Sequence, residues 1–253
     1  MTEVKQEVKQ EVKQEVKQEV KQEVKQEVKK EVKKVKKVKK EIKVKSNPFE
    51  LNSNNMKAFG VWDTKNIEVI DRGLKRYINL NPIYVPTTLG REVKKQFWKS
   101  KKPIIERLMI RLFVTGHAGK KHKRSSGIFT GKKNITYNTV FSTLKYIEEK
   151  TKKNPVEVLV RAIEAGAPRE GITTIEYGGV RYPKSVDLSP QRRIDLVLRW
   201  LTQGAYQKMS GTKGRKRIYQ TLGDQIIATS TFDQTSLAFS KKFDLERQAQ
   251  SAR

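Results

Sequence analysis

Apolar residues fall into helical spacing only beyond residue 100, and the chain before that point is patterned quite differently. Residues 3–26 hold six copies of Glu-Val-Lys-Gln, which decay through Glu-Val-Lys-Lys into Val-Lys-Lys triplets ending at Lys45. A four-residue period stacks like on like at i and i+4, Glu3 on Glu7 and Lys5 on Lys9, and such pairs disfavour a helix. The valine stripe also drifts by about 40° per repeat, because four residues overshoot a turn of 3.6. Between a solvated disordered arm and a single long helix lying on a surface, this pattern favours the disordered arm. Asn47-Pro48 and the polar run Asn52 to Asn55 close it off.

The next stretch predicts an irregular wrap over residues 46–102. Its scattered anchors are Phe59, Trp62, Ile67, Val69, Leu74, Tyr77, Ile78, Ile83 and Val85, and Pro82 and Pro86 limit regular structure. From 103 onward the periodicity predicts a helical body running to 253. Pro103 suits a first turn, and Ile104, Ile105, Leu108, Met109 and Leu112 form one stripe, leaving Arg107 and Arg111 stacked on another face. A basic glycine-rich loop, residues 116–133, leads to a second helix marked by Val140, Leu144 and Ile147. Asn154-Pro155-Val156-Glu157 is a strong helix start: an N-cap, a proline at the first position and a glutamate at the third. Val156, Leu159, Val160 and Ile163 then bury one face, and Gly166 with Pro168 ends the helix. Between Ile172 and Val186 the spacing switches to alternation around Gly178-Gly179, a turn that predicts a β-hairpin over residues 171–187. That register sets Tyr177 opposite Val180, Ile175 opposite Tyr182, and Glu176 opposite Arg181. Ser189-Pro190 opens a long helix with Ile194, Val197, Leu198, Leu201 and Ala205 inward. Two more helices follow, around Ile218, Leu222 and Ile226, then around Leu237, Ala238 and Leu245. Trp62, Trp98 and Trp200 are read as core. The fold class is mainly α: a helical bundle with a protruding two-stranded hairpin and a disordered basic N-terminal extension.

Charge gives this frame its chemistry. The 253 residues carry 55 Lys+Arg against 27 Asp+Glu, a formal net charge of +28. Residues 1–45 contain 16 Lys and 9 Glu, so the other 208 residues keep 39 Lys+Arg against 18 Asp+Glu and are basic in their own right. Self-repulsion on that scale calls for a polyanion, and nucleic acid is the default partner. The absence of cysteine excludes disulfides, thiol nucleophiles and cysteine-ligated metal sites. No apolar run reaches the roughly 18 residues of a membrane span, and the start of the chain is too charged for a signal peptide, so a soluble intracellular protein is expected.

Enzyme readings find little support. The run Gly127-Ile128-Phe129-Thr130-Gly131-Lys132-Lys133 looks superficially like a P-loop, but it has one residue too few between its glycines and ends in lysine where Ser or Thr would hold magnesium. His117 and His122 have no nearby carboxylate to complete a metal site or a general base. Glu148 and Glu149 are adjacent on a helix and point apart. No catalytic residue, metal site or cofactor is expected. A DNA-bending protein would need a recognition helix or an apolar wedge, and neither is evident. An RNA-modifying enzyme would need a cofactor loop or an acid–base pair.

The residues from Asn154 to Glu164, then Ala167-Pro168-Arg169-Glu170, Tyr177-Gly178-Gly179, and Val186-Asp187-Leu188-Ser189-Pro190-Gln191-Arg192-Arg193-Ile194-Asp195 resemble the seventh small-subunit ribosomal protein family in its archaeal and eukaryotic form. The eukaryotic members of that family are called small-subunit protein five. Phe59-Gly60-Val61-Trp62, Lys102-Pro103-Ile104-Ile105-Glu106-Arg107-Leu108 and the closing residues 241–253 add collinear matches over about residues 56–253. The repeat arm matches nothing in the family, and the loop after Phe113 looks enlarged by a second Gly-Lys-Lys segment, Gly119 to Lys121 beside Gly131 to Lys133.

The resemblance implies a structural constituent of the small ribosomal subunit that binds the head domain of its rRNA directly and organises head assembly. It also implies a hairpin near the exit-site tRNA and the mRNA path, neighbouring ribosomal proteins as partners, and a cytoplasmic location. Folded RNA hides its bases in a deep groove, so a protein grips phosphates, shape and splayed bases. Candidate rRNA contacts are Lys101, Lys102, Arg107, Arg111, Lys120, Lys121, Lys123, Arg124, Lys132, Lys133, Arg192, Arg193, Lys213, Arg215 and Lys216. Arg192 and Arg193 sit in a first helical turn, where the dipole disfavours cations, so a phosphate or a nearby carboxylate must compensate them; phosphate is favoured. On the tRNA and mRNA side of the hairpin the candidates are Tyr177, Gly178, Gly179, Arg181, Tyr182 and Lys184, the two tyrosines either stacking on bases or packing across the hairpin.

Overall fold

The computed structural model describes residues 56–114, 129–212 and 214–253. The repeat arm and most of the enlarged loop lie outside that set. Among the described residues there are seven α-helices and one two-stranded antiparallel sheet.

The first segment is irregular but anchored. A tight turn bridges Ala58 to Trp62 and buries Phe59 and Trp62 against Tyr137 and Phe141, with ring centroids 4.9–5.9 Å apart. The indole Nε1 of Trp62 donates to Glu148 Oε2 at 2.9 Å. Helix α1, Arg72–Lys75, is a single turn capped by Asp71 and nailed down by Leu74, which is fully buried. Most of the expected anchors pack inward; Val85 does not, and remains exposed. Two 3₁₀ turns, Arg91–Lys94 and Trp98–Lys101, lead to α2, Ile104–Leu112.

The bundle is built from α3 (Lys133–Thr151), α4 (Pro155–Gly166), α5 (Pro190–Gly211), α6 (Ile218–Ser230) and α7 (Leu237–Ser251). Helix α6 runs at its centre, packed against α3, α4 and α5. Gly223 allows α3 to approach closely, since a Cβ there would stand 2.6 Å from the Tyr146 ring. Asn154 caps α4 as its sequence predicts, accepting from the Val156 N–H at 3.1 Å, while Glu157 lies 4.0 Å from Arg161. Helix α4 is buried beyond the one face its periodicity suggests, because Val158, Ala162 and Ala165 are also covered. The stripes predicted for α3 and α5 are fully inward. At the far end of α6, Thr229 Oγ1 and Ser236 Oγ share a buried hydrogen bond of 2.5 Å, and the Gln225 side chain caps the Leu237 N–H at 3.0 Å. A buried polar group costs stability unless it is bonded, and here the bonds fix the turn into α7.

The strands are β1, Glu170–Tyr177, and β2, Val180–Asp187, paired in the register expected from the sequence. No described helix is long and apolar enough to cross a membrane.

Candidate nucleic-acid interface

The hairpin is exposed over most of its length. Gly178 and Gly179 take φ of +59° and +82°, which L side chains adopt only with strain, so the two-residue turn needs glycine. Beyond Ile172 the first strand is solvent-facing; Tyr177 is 81% exposed, and Tyr182, Ile175 and Val180 are exposed with it. Arg181 and Glu176 pair across the strands at 3.4 Å, where solvent leaves such a pair little net value. Only the base is held. The Ser185 N–H donates to the Ala252 carbonyl at 3.1 Å, the Arg169 N–H to Glu246 at 3.0 Å, and Arg253 pairs with Glu170. The C-terminal helix α7 therefore clasps the root of an otherwise unsupported ribbon, and Lys184 stays exposed on its outer strand.

A second exposed feature joins the 3₁₀ turns to α2 and α5. Lys95 and Lys101 sit over the Trp98 indole, 5.3 and 4.3 Å from its centroid, so this tryptophan is a half-exposed platform and not the core residue its type suggested. Beside it lies a groove of about 430 Å³ whose walls include Lys95, Phe97, Lys99, Lys102, Ile110 and Arg111. Burial foremost, then repulsion from Arg199, lowers the Arg111 pKa from its ordinary value against the attraction of Asp195. Arg111 thus adds a guanidinium to a cleft already rich in lysine, with Arg199 close enough to repel it.

Arg107 is placed otherwise than its helical spacing suggested. It is 3% exposed and donates to Asp195 at 2.9 Å and to the Tyr77 carbonyl at 3.1 Å. Lys99 reaches the same carboxylate at 2.5 Å. Burial pushes Asp195 up, but the hydrogen bonds from Lys99 and Arg107 outweigh it and hold the carboxyl below its ordinary value. Arg193 is likewise buried; it donates to Asp71 and to the Pro168 carbonyl, both at 2.9 Å. Of the two compensations weighed for the start of α5, the structure supplies the carboxylate for Arg193, while Arg192 stays exposed. Both buried arginines tie elements together and do not face solvent.

At the other end of the bundle a wide cleft of about 810 Å³ separates the first turns of α3 from the α5–α6 connection, with Ile135, Tyr206, Arg217 and Tyr219 on its walls. Lys216 and Arg217 are exposed on its wall; Lys132 and Arg215, exposed, and Lys133, half-buried, lie in the chain segments that lead into it. Lys216 and Lys150 lie 3.3 and 2.7 Å from Asp224, whose carboxyl burial raises and hydrogen bonds from Lys150, Tyr146 and Lys216 lower further. Lys120, Lys121, Lys123, Arg124 and Lys213, like His117 and His122, lie outside the described residues. Among the described residues no group of His, Asp and Glu is arranged to hold a metal ion.

Lys95, Phe97, Lys99 and Arg199 join this surface beyond the residues expected from the sequence. A signal was present for three of them: residues 94–102 interleave five lysines with Phe97 and Trp98, and basic residues alternating with aromatics are what a single-stranded nucleic acid needs. For Arg199 there was none, since only helix packing brings it to Arg111.

Compared with known proteins, residues 74–253 match the family described as Ribosomal protein S7p/S5e. The small ribosomal subunit protein uS7 of Nanoarchaeum equitans is 48% identical over 198 residues, covering 78% of this chain and 99% of its own length. The protein of the same name from Methanosphaera stadtmanae is 46% identical over 198 residues, with 78% and 99% covered. That of Methanococcus vannielii is 42% identical over 199 residues, with 78% and 96% covered.

Proposed function

The chain belongs to the ribosomal protein S7p/S5e family, and from that premise we propose that it binds the head domain of small-subunit rRNA directly and organises assembly of the head. Membership makes it a structural, non-enzymatic component of the small ribosomal subunit, with rRNA and ribosomal proteins around it. The finer reading adds a hairpin near the exit-site tRNA and the mRNA path, and a cytoplasmic location within the subunit. Its rRNA contacts are Lys101, Lys102, Arg111, Lys132, Lys133, Arg192, Arg215 and Lys216, and, outside the described residues, Lys120, Lys121, Lys123, Arg124 and Lys213. Arg107 and Arg193 support these contacts from inside the bundle.

The observation that supports this reading best is the surplus of cations outside the repeat arm, 39 Lys+Arg against 18 Asp+Glu. Ion pairing within the fold absorbs only part of it, and the exposed remainder meets a polyanion through counterion release. The hairpin supports the second half. A lone two-stranded ribbon is marginal in water, and one that displays Tyr177, Tyr182 and Arg181 far from its own core gains order from whatever it touches.

The test is binding of the purified protein to the head domain of small-subunit rRNA at near-physiological salt, competed with equal-length duplex DNA and with unrelated folded RNA. Tight binding that survives both competitors is expected; equal competition by all three would reduce the protein to a generic polycation. Removing residues 171–185 should leave that affinity largely intact and disturb exit-site contacts on assembled subunits. Unchanged exit-site tRNA binding in the deletion would refute the role of the hairpin.

A further inference from the structure

We infer that the groove between the second 3₁₀ turn, α2 and α5 holds a single unpaired nucleotide, its base stacked on Phe97 and its phosphate against Arg111 and Lys95. The inference deepens the rRNA-binding reading and rests on it.

The first observation is Phe97 itself. It is 63% exposed, forms one wall of the groove, and sits at φ +66°. A bulky residue in the left-handed region is a backbone outlier that costs free energy. The fold gains little from an aromatic ring there, because most of the ring faces water. A residue held in strain while presenting its ring outward is explained by something that the ring meets.

The second is the mixed chemistry of the cleft. Ile110 and Val114 are exposed beside Phe97, so the wall that would receive a base is apolar. On the same groove, Arg111 feels the repulsion of Arg199, and Lys95 stands over Trp98 next door. An anion placed there relieves the repulsion. Arg107 lies at the groove as well, and its Nε is buried with no hydrogen-bond partner among the described residues. Apolar stacking surface and guanidinium sharing one groove is the combination by which proteins hold a splayed base and its phosphate. Two anions also line the groove: Asp195 is neutralised by Lys99 and Arg107, whereas Glu92 lies 4.0 Å from Lys102 with its Oε2 buried and without a hydrogen-bond partner, so the phosphate is assigned to the Arg111 and Lys95 side. An acidic peptide would satisfy the charges too, but the surrounding surplus of cations and the family's RNA partner favour a nucleotide.

The experiment uses the full chain with Phe97→Ala, Phe97→Gly and Arg111→Gln, binding the head-domain rRNA and an unrelated folded RNA. Stacking of one base predicts roughly tenfold weaker binding to the head-domain rRNA for either Phe97 variant, with the unrelated RNA bound as before. Phe97→Gly also removes the left-handed strain, so its melting temperature should be unchanged or higher while its affinity falls; a merely structural role would lower both. With p-benzoylphenylalanine at position 97, irradiation of the complex should crosslink to one unpaired nucleotide. If the unaltered protein prefers the head-domain rRNA and both Phe97 variants bind within twofold of it, this inference alone is overturned. A crosslink that goes only to a neighbouring protein in assembled subunits overturns it as well. If the unaltered protein shows no preference, the rRNA reading fails first and takes this one with it.

Discussion

Replacing Asp195 by alanine should be among the most damaging single changes available in this bundle. The carboxylate receives Arg107 at 2.9 Å and Lys99 at 2.5 Å, and the two partners differ sharply in burial, with side-chain exposures of 2% and 51%. At an effective dielectric of about 20, a pair 2.9 Å apart attracts by roughly 6 kcal/mol, most of which offsets the desolvation of the arginine. Removing the carboxylate leaves Arg107 charged, buried and bonded only to the Tyr77 carbonyl. Breaking a buried pair in this way costs about 3–5 kcal/mol; because Asp195 is itself partly solvated, about 3 kcal/mol is the better figure. For a body of this size that is a fall in melting temperature of roughly 6–12 °C. Lys99→Ala, an exposed partner, should cost less than about 1 kcal/mol. The double change Arg107→Met with Asp195→Leu should recover most of the loss, since an apolar pair carries no desolvation penalty. The pH dependence has a definite sign. Asp195 has a folded pKa below its unfolded value of about 3.9, so its contribution is complete above that pH and disappears as pH falls through the folded value. The gap between wild type and Asp195→Asn should therefore be widest near pH 5–7 and close below about pH 4. Urea unfolding of the variants across that range is the assay. A loss below about 1 kcal/mol for Asp195→Ala, or a gap that widens in acid, would refute the pairing as the element that holds α2 to α5.

Other consequences are equally direct. Gly223→Ala places a methyl 2.6 Å from the Tyr146 ring and should destabilise the bundle by about 1–3 kcal/mol, seen as a lower melting temperature; an unchanged one would mean that the α3–α6 crossing is looser than drawn. Gly179→Val forces a branched residue into φ +82° at a cost of about 1–2 kcal/mol. The loss should appear as faster amide exchange in the hairpin with global melting unaltered, because the tip touches nothing in the bundle, and a cooperative drop in melting would contradict that independence. Deleting residues 2–45, which carry a net +7, should weaken rRNA binding mainly at low salt and flatten its salt dependence. A loss that is the same at all salt concentrations would point to a specific fold in the arm.

Local chemistry made much of this protein legible before any coordinates. The inward stripes of α3 and α5, the Asn154 cap and the Gly178-Gly179 turn each depend on residues within a few positions of one another, so periodicity and turn preference identify them, and the register of the hairpin follows from its turn. Charge told what kind of partner the surface suits. The division of the arginines was not legible, because it depends on partners far along the chain: Arg107 meets Asp195 at a separation of 88 residues and Arg193 meets Asp71 at 122. In sequence these two look like any other members of a basic surface. Trp98 erred the other way, for a tryptophan is commonly core, and only the path of the 3₁₀ turns leaves this one under lysines. The sequence by itself determined the elements and the sign of the surface, since those are sums over local or additive properties; the tertiary structure alone decided which cations face solvent, because burial and ion pairing are properties of packing, where one helix laid across another turns a surface arginine into an internal brace.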